Sequence, residues 1–193
     1  MKTLVRITAL LLAVSFNPIA ARASTTKNAV KSDEDTSGIN PSECDAVSEN
    51  LVANCGFETG VFYPWGTGEV GFFGVTVRSR FSGNFGVEYG SRCCLEPLWQ
   101  LVPTMAGQKY ALTFWLRNTG QPNAFRVYWD GVPVYDLVDA PDFPWTPLCL
   151  EGLVASQDRT VLQFAFYNRP DWWFIDDIVL AASPNSANAL VYP

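Results

Sequence analysis

The chain has 193 residues, 48% of them hydrophobic and 14% aromatic, with 13 Lys+Arg against 19 Asp+Glu, a net charge of −6 and no histidine. Such a composition is globular rather than disordered. The absence of histidine excludes Ser-His-Asp and Cys-His nucleophile systems, His-ligated zinc and imidazole general bases, because each needs an imidazole nitrogen as base or ligand. A pI near 4.6 without any run of Lys or Arg lacks the electrostatic footprint that neutralises phosphates, which argues against nucleic acid and anionic membranes as partners.

Residues 1–23 read as a signal peptide: Lys2 and Arg6 make a basic start, Ile7 to Val14 an apolar run, and Ala21-Arg22-Ala23 a small-residue cleavage site. Asn17, Pro18 and Arg22 cut the apolar run too short for a membrane span, so the expected localisation is secreted and extracellular. Losing Lys2, Arg6 and Arg22 leaves 10 basic residues against 19 acidic, a net charge of −9 that favours solubility. No N-glycosylation sequon stands in the chain, since Asn40 is followed by Pro41.

Residues 24–49 are polar and acidic and carry almost no aromatic side chains, so they bury too little surface to offset chain entropy and are expected to be a disordered leader. An acidic leader behind a signal suggests a translocated effector, but no Arg-x-Leu-Arg motif is present and a solvated linker explains the composition more simply. Residues 183–193 read as a short flexible tail.

Residues 50–182 are rich in aromatic and β-branched side chains, with Gly, Pro or Asn at intervals of roughly 8 to 12 residues, the spacing of an all-β sandwich. Gln108 to Asn118 alternates, with Tyr110, Leu112, Phe114 and Leu116 on an expected core face and Ala111, Thr113, Trp115 and Arg117 opposite. Ala124 to Trp129 alternates likewise and runs into Asp130-Gly131, a type I′ hairpin signal ahead of Val132 to Leu137. Leu98 to Val102 and Thr160 to Asn168 read as further strands. Phe174 to Leu180 reads as a central strand, apolar except for Asp176 and Asp177, an acidic pair whose burial needs a reason.

Five cysteines, Cys44, Cys55, Cys93, Cys94 and Cys149, allow at most two bridges in an oxidising compartment, and 15 pairings satisfy that count. Cys44 to Cys55 would staple the leader to the first strand, one of Cys93 or Cys94 could reach Cys149, and one thiol is left over.

Four strings in order carry a resemblance: Asn50-Leu51-Val52-Ala53-Asn54-Cys55-Gly56-Phe57-Glu58-Thr59-Gly60 with Trp65; Ser82-Gly83; Gln100 with Gly107 to Trp115; and Trp173-Phe174-Ile175-Asp176-Asp177-Ile178. Together they resemble the galactose-binding-like jelly roll, a β-sandwich of two antiparallel sheets. Within that group the chain is similar to carbohydrate-binding modules of the family 4/9 type and to bacterial secreted domains with an N-G-G-F-E-x-G opening. Cys55 stands where that opening has its first glycine, and Arg92-Cys93-Cys94 is an insertion. The resemblance implies a structural calcium ion held by Glu58 and Asp176, with carbonyls from the Ser82-Gly83 loop, since calcium takes six to eight hard oxygen ligands. The alternative is that both carboxylates cap backbone amides or pair with an arginine.

Catalysis is not expected. A glycosidase needs two carboxyls facing one sugar, and Asp176 and Asp177, adjacent on a strand, should point to opposite faces. Binding has better support, because sugar sites combine a flat aromatic with planar polar side chains. The expected ligand contacts are Trp115, Arg117, Arg126 and Tyr128 on one sheet face, closed at one edge by Asn168, Asp171 and Trp172; a loop packed over Trp115 and Tyr128, with an arginine stacked above, is the plainer alternative. The function expected is therefore a secreted, non-catalytic module that binds a polysaccharide or glycan. A secreted protein-interaction or effector-type module on the same sandwich, with a protein partner, is the competing reading.

Overall fold

The computed structural model describes residues 41–91 and 93–183. The expected signal peptide, residues 24–40 of the leader and residues 184–193 of the tail lie outside the described residues. Within the described residues ten strands form two five-stranded antiparallel sheets. The strands are β1 (Gly66–Thr67), β2 (Phe72–Thr76), β3 (Gly86–Gly90), β4 (Glu96–Pro103), β5 (Lys109–Asn118), β6 (Asn123–Trp129), β7 (Val132–Val138), β8 (Phe143–Val154), β9 (Arg159–Asn168) and β10 (Trp173–Ala182). Sheet A has the order β1-β4-β9-β6-β7 and sheet B the order β2-β3-β10-β5-β8. The expected β-sandwich of two antiparallel sheets is what forms.

The alternation read from the sequence drives the packing. Leu112, Phe114 and Leu116 of β5 are buried against Phe125 and Val127 of β6 and Leu162, Phe164 and Phe166 of β9, all no more than 1% exposed. Ring contacts run through this core: Phe114 lies 5.1 Å from Phe164, Phe125 lies 5.5 Å from Trp173, and Tyr89 stacks on Phe166 at 4.6 Å. Burial of such rings is the main favourable term holding the two sheets together. Asp130 and Gly131 have φ of 51° and 78°, the left-handed pair a type I′ turn requires, and they join β6 to β7 as expected. Strand β10 is central in its sheet, between β3 and β5.

The folded part begins earlier than Asn50. Pro41 to Glu49, assigned to the leader by composition, are ordered around a 3-10 turn over Glu43–Ala46, with Ser42 and Cys44 buried. Tertiary anchors supply what local composition lacks. Cys44 is bridged to Cys55, its N–H donates to Asp177 Oδ1 at 3.1 Å, and Ser82 Oγ accepts from the Glu43 N–H at 2.8 Å.

The remaining three cysteines carry no bridge, and all three are exposed. The expected link from Cys93 or Cys94 to Cys149 does not form. Cys149 pairs with Thr113, five residues along β5 from Asn118, whereas Asn118, Trp173 and Tyr89 share one row of sheet B near the end that leads to Cys93. Five strand residues span roughly 17 Å, well beyond the Cα separation of about 7 Å that a bridge tolerates.

Candidate functional site

The seven expected ligand contacts do not share one face. Strands β5 and β6 follow each other in the chain but belong to opposite sheets. Their non-core residues therefore look outward in opposite directions, which separates Trp115 and Arg117 from Arg126 and Tyr128. On sheet B, Trp115 is half-buried and stacked on Phe81 with ring centroids 3.7 Å apart, and the Arg117 guanidinium lies 5.0 Å from the Phe174 ring centroid. On sheet A, Arg126 pairs with Asp136 at 2.9 Å.

Tyr128 gains a neighbour that the sequence reading passed over. Gln163 of β9 is register partner to both Tyr128 of β6 and Trp99 of β4, so the three form a row across sheet A. Trp99 is 41% exposed and lies against Gly66, where any β-carbon would strike the indole. Inside an apolar stretch a tryptophan reads as core. Here Leu98, Gln100 and Val102 take the core side and turn Trp99 outward.

Asn168, Asp171 and Trp172 are brought together. With Phe72, Gly90, Ser91, Arg169 and Pro170 they line an open cleft of about 500 Å³ at one end of the sandwich. Three buried asparagines at strand ends fix its frame. Asn168 Nδ2 donates to Asn118 Oδ1 at 2.9 Å and to the Gly120 carbonyl at 3.3 Å. Asn118 Nδ2 donates to the carbonyls of Ala140 and Pro141, and Asn123 Nδ2 to those of Gly120 and Ala140. The 168–172 loop is tied to the same frame: Thr119 N–H donates to the Trp172 carbonyl at 3.2 Å, and Trp172 N–H to Thr119 Oγ1 at 3.0 Å.

That frame presents specific chemistry. Trp172 rests against Gly90, where a β-carbon would crowd its ring, and the Arg78 guanidinium, held by Glu88 at 2.6 Å, stands 5.9 Å from the indole centroid. Asp171 packs its carboxylate over Gly120. Asn168 Oδ1 is buried and has no hydrogen-bond partner among the described residues. Since both atoms facing Nδ2 are acceptors, exchanging the amide's oxygen and nitrogen would lose both bonds without gaining one. A ligand hydroxyl or an ordered water at this wall would satisfy the orphaned oxygen.

Glu58 and Asp176, the expected calcium ligands, face N–H donors. Glu58 accepts from the backbone N–H of Asn84 at 2.9 Å and of Phe85 at 3.1 Å, and from Asn84 Nδ2 at 3.1 Å. Asp176 accepts from the N–H of Phe81 at 2.7 Å, Ser82 at 3.3 Å and Asp177 at 2.8 Å. A calcium site instead converges carboxylate and carbonyl oxygens, and the Ser82–Phe85 loop turns its amides, not its carbonyls, to both groups. The residues present fit amide capping and do not fit the cation.

Asp176 and Asp177 also depart from strand geometry. Asp177 has a φ of 48° inside a register break between Asp176 and Val179, so the two do not point to opposite faces. Both reach Ser82: its N–H donates to Asp176 and its hydroxyl to Asp177 Oδ2 at 2.6 Å. Aspartate tolerates the left-handed region better than most residues, which explains an acidic residue at the bulge. Both carboxylates are buried, at 0% and 4% exposed, and turned to these donors.

No protein-family profile matches the chain, and no curated protein matches it. Solved structures do. A structure of the module TmCBM61 in complex with β-1,4-galactotriose superposes with a TM-score of 0.56 at 22% identity, covering 70% of this chain and all of that one. The fold is a galactose-binding-like jelly roll. The C-terminal family 22 carbohydrate-binding module of Clostridium thermocellum Xyn10B matches with a TM-score of 0.52 at 14% identity, over 69% of this chain and 98% of the module. The enzymatically active domain of tailspike protein 4 from bacteriophage CBA120 matches with a TM-score of 0.55 at 10% identity, but this chain spans only 22% of it. The modules matched here carry the family numbers 61 and 22, not the expected 4/9 type. Among the described residues no helix is long and apolar enough to cross a membrane.

Proposed function

We propose that this jelly roll is a secreted, non-catalytic module that binds a polysaccharide or glycan in the cleft at the end of the sandwich. The observation that carries the reading is the cleft of about 500 Å³ in which Trp172, Arg169, Asp171 and Asn168 converge on a hydrogen-bonded frame. An indole offers a flat apolar surface for the C–H face of a pyranose, and the planar amide, carboxylate and guanidinium offer donors and acceptors to its hydroxyls. The asparagine frame sets these groups in place before a ligand arrives, which lowers the ordering cost of binding. The likeness to modules crystallised with β-1,4-galactotriose or described as xylan-binding supports a polysaccharide ligand class.

A partner-protein reading draws on a different surface. Trp99 and Leu101, 41% and 45% exposed, turn an apolar stripe outward from sheet A. Affinity electrophoresis of residues 24–193 through gels cast with galactan, xylan and other soluble polysaccharides separates the two. Retardation in at least one gel is expected; unchanged mobility in every gel would overturn the carbohydrate reading.

A further inference from the structure

The insertion between β3 and β4 places two thiols side by side against the wall of the cleft. Cys93 and Cys94 are both exposed, and their sulfur atoms lie 2.7 Å apart, in direct contact. Ser91, a cleft-lining residue, accepts the Cys94 N–H on its hydroxyl at 3.4 Å. Glu96, only 5% exposed, accepts from the Cys94 thiol at 3.4 Å. The third free thiol, Cys149, is too far along sheet B to compete.

We propose that Cys93 and Cys94 are a reversible thiol–disulfide modification site, closing into a bridge between adjacent residues when a low-molecular-weight disulfide serves as oxidant. The Cys93 thiolate attacks the oxidant and releases its first thiolate, leaving a mixed disulfide on Cys93. Cys94 then loses its proton, with Glu96 as the nearby acceptor, and attacks the Cys93 sulfur to expel the second thiolate. In total two protein thiols lose two electrons and two protons, and one external disulfide becomes two thiols. Cys94 is suited to the second step: its hydrogen bonds to Cys93 and Glu96 hold its thiol high, at about 12, so it stays protonated until the sulfur it attacks is in contact.

Adjacency also sets how easily the bridge reopens. Neighbouring Cα atoms are about 3.8 Å apart, below the separation of about 4.4 Å at which ordinary bridges begin. The ring is therefore strained and yields to milder reductants than an unstrained bridge. Cys44–Cys55, at 1% and 3% exposed, provides the internal comparison. Closure fixes the turn from Ser91 to Glu96 and with it one wall of the cleft. That consequence for binding rests on the carbohydrate reading; the ring does not.

The test uses the Cys149→Ser chain equilibrated in glutathione buffers of graded poise, quenched with an alkylating reagent and mapped by mass spectrometry. Under oxidising poise the peptide holding Cys93 and Cys94 is expected to lose the mass of two hydrogen atoms and take no label. On stepping to reducing poise it should take two labels while Cys44 and Cys55 still take none. Two labels or two glutathione adducts at every poise would overturn the proposal, as would a ring that opens only together with Cys44–Cys55. If the ring forms and no polysaccharide gel retards the chain in either state, the carbohydrate reading fails and the modification site stands.

Discussion

The melting temperature is expected to fall as pH rises from about 4 to about 8, by on the order of 10 °C, because Asp176 is protonated in the folded chain over a range where the unfolded chain has released the proton. Burial, and then the charge of neighbouring Asp177, push the Asp176 carboxyl up to about 8, against the pull of the Phe81, Asp177 and Ser82 amides. An unfolded aspartate titrates near 4, so between the two values the folded state binds more protons and stability declines with rising pH. The contribution is complete below about pH 4 and gone above about pH 8. Asp177 shifts in the same direction, chiefly through burial, opposed by the Ser82 hydroxyl and the Cys44 N–H. Asp176→Asn should flatten the profile while lowering stability at acid pH, since its amide N–H would face the Asp177 N–H. A wild-type melting temperature that is flat or rises across this window would show that the amide donors outweigh burial.

Removing the Cys44–Cys55 bridge is the second large expected effect. Its cysteines are 11 residues apart, a loop for which chain-entropy arguments give about 3 kcal/mol. The bridge also holds the 3-10 turn that gives Asp177 the Cys44 N–H and buries Ser42 against Gly56, where no β-carbon fits. The Cys44→Ser/Cys55→Ser chain should therefore melt about 10 °C lower at neutral pH. A melting temperature within a degree of the parent would mean that the turn is held by its other contacts alone.

What the sequence made legible follows from what periodicity encodes. The alternation in Gln108 to Asn118 and Ala124 to Trp129, and the Asp130-Gly131 turn, located β5, β6 and β7 and identified their core faces, because a period of two is a local property. Sheet membership is not local. The four residues between Asn118 and Asn123 carry the chain from one sheet to the other, and nothing in their composition distinguishes that crossing from a hairpin. The contacts drawn across β5 and β6 therefore separated, while Asn168, Asp171 and Trp172, close in sequence, stayed together.

The frame of the cleft was invisible for a related reason. Asn118, Asn123 and Asn168 each look like a polar strand end, and their joint burial appears only once three strands align. The bulge at Asp177 was likewise hidden, since an Asp-Asp pair reads the same whether or not a positive φ turns the second residue. The orderly 41–49 segment was misjudged because its stability comes from a bridge and from Asp177 and Ser82, distant in sequence. Trp99 needed the register of β4 to show which way it turns.

The most direct test of the end cleft as the binding site is to compare Trp172→Ala and Trp99→Ala with the parent chain, by titration against whichever polysaccharide retards the parent. The account predicts that Trp172→Ala loses at least tenfold in affinity with its fold intact, and that Trp99→Ala binds as the parent does. Loss of binding in Trp99→Ala with Trp172→Ala unaffected would contradict it and place recognition on the outer face of sheet A.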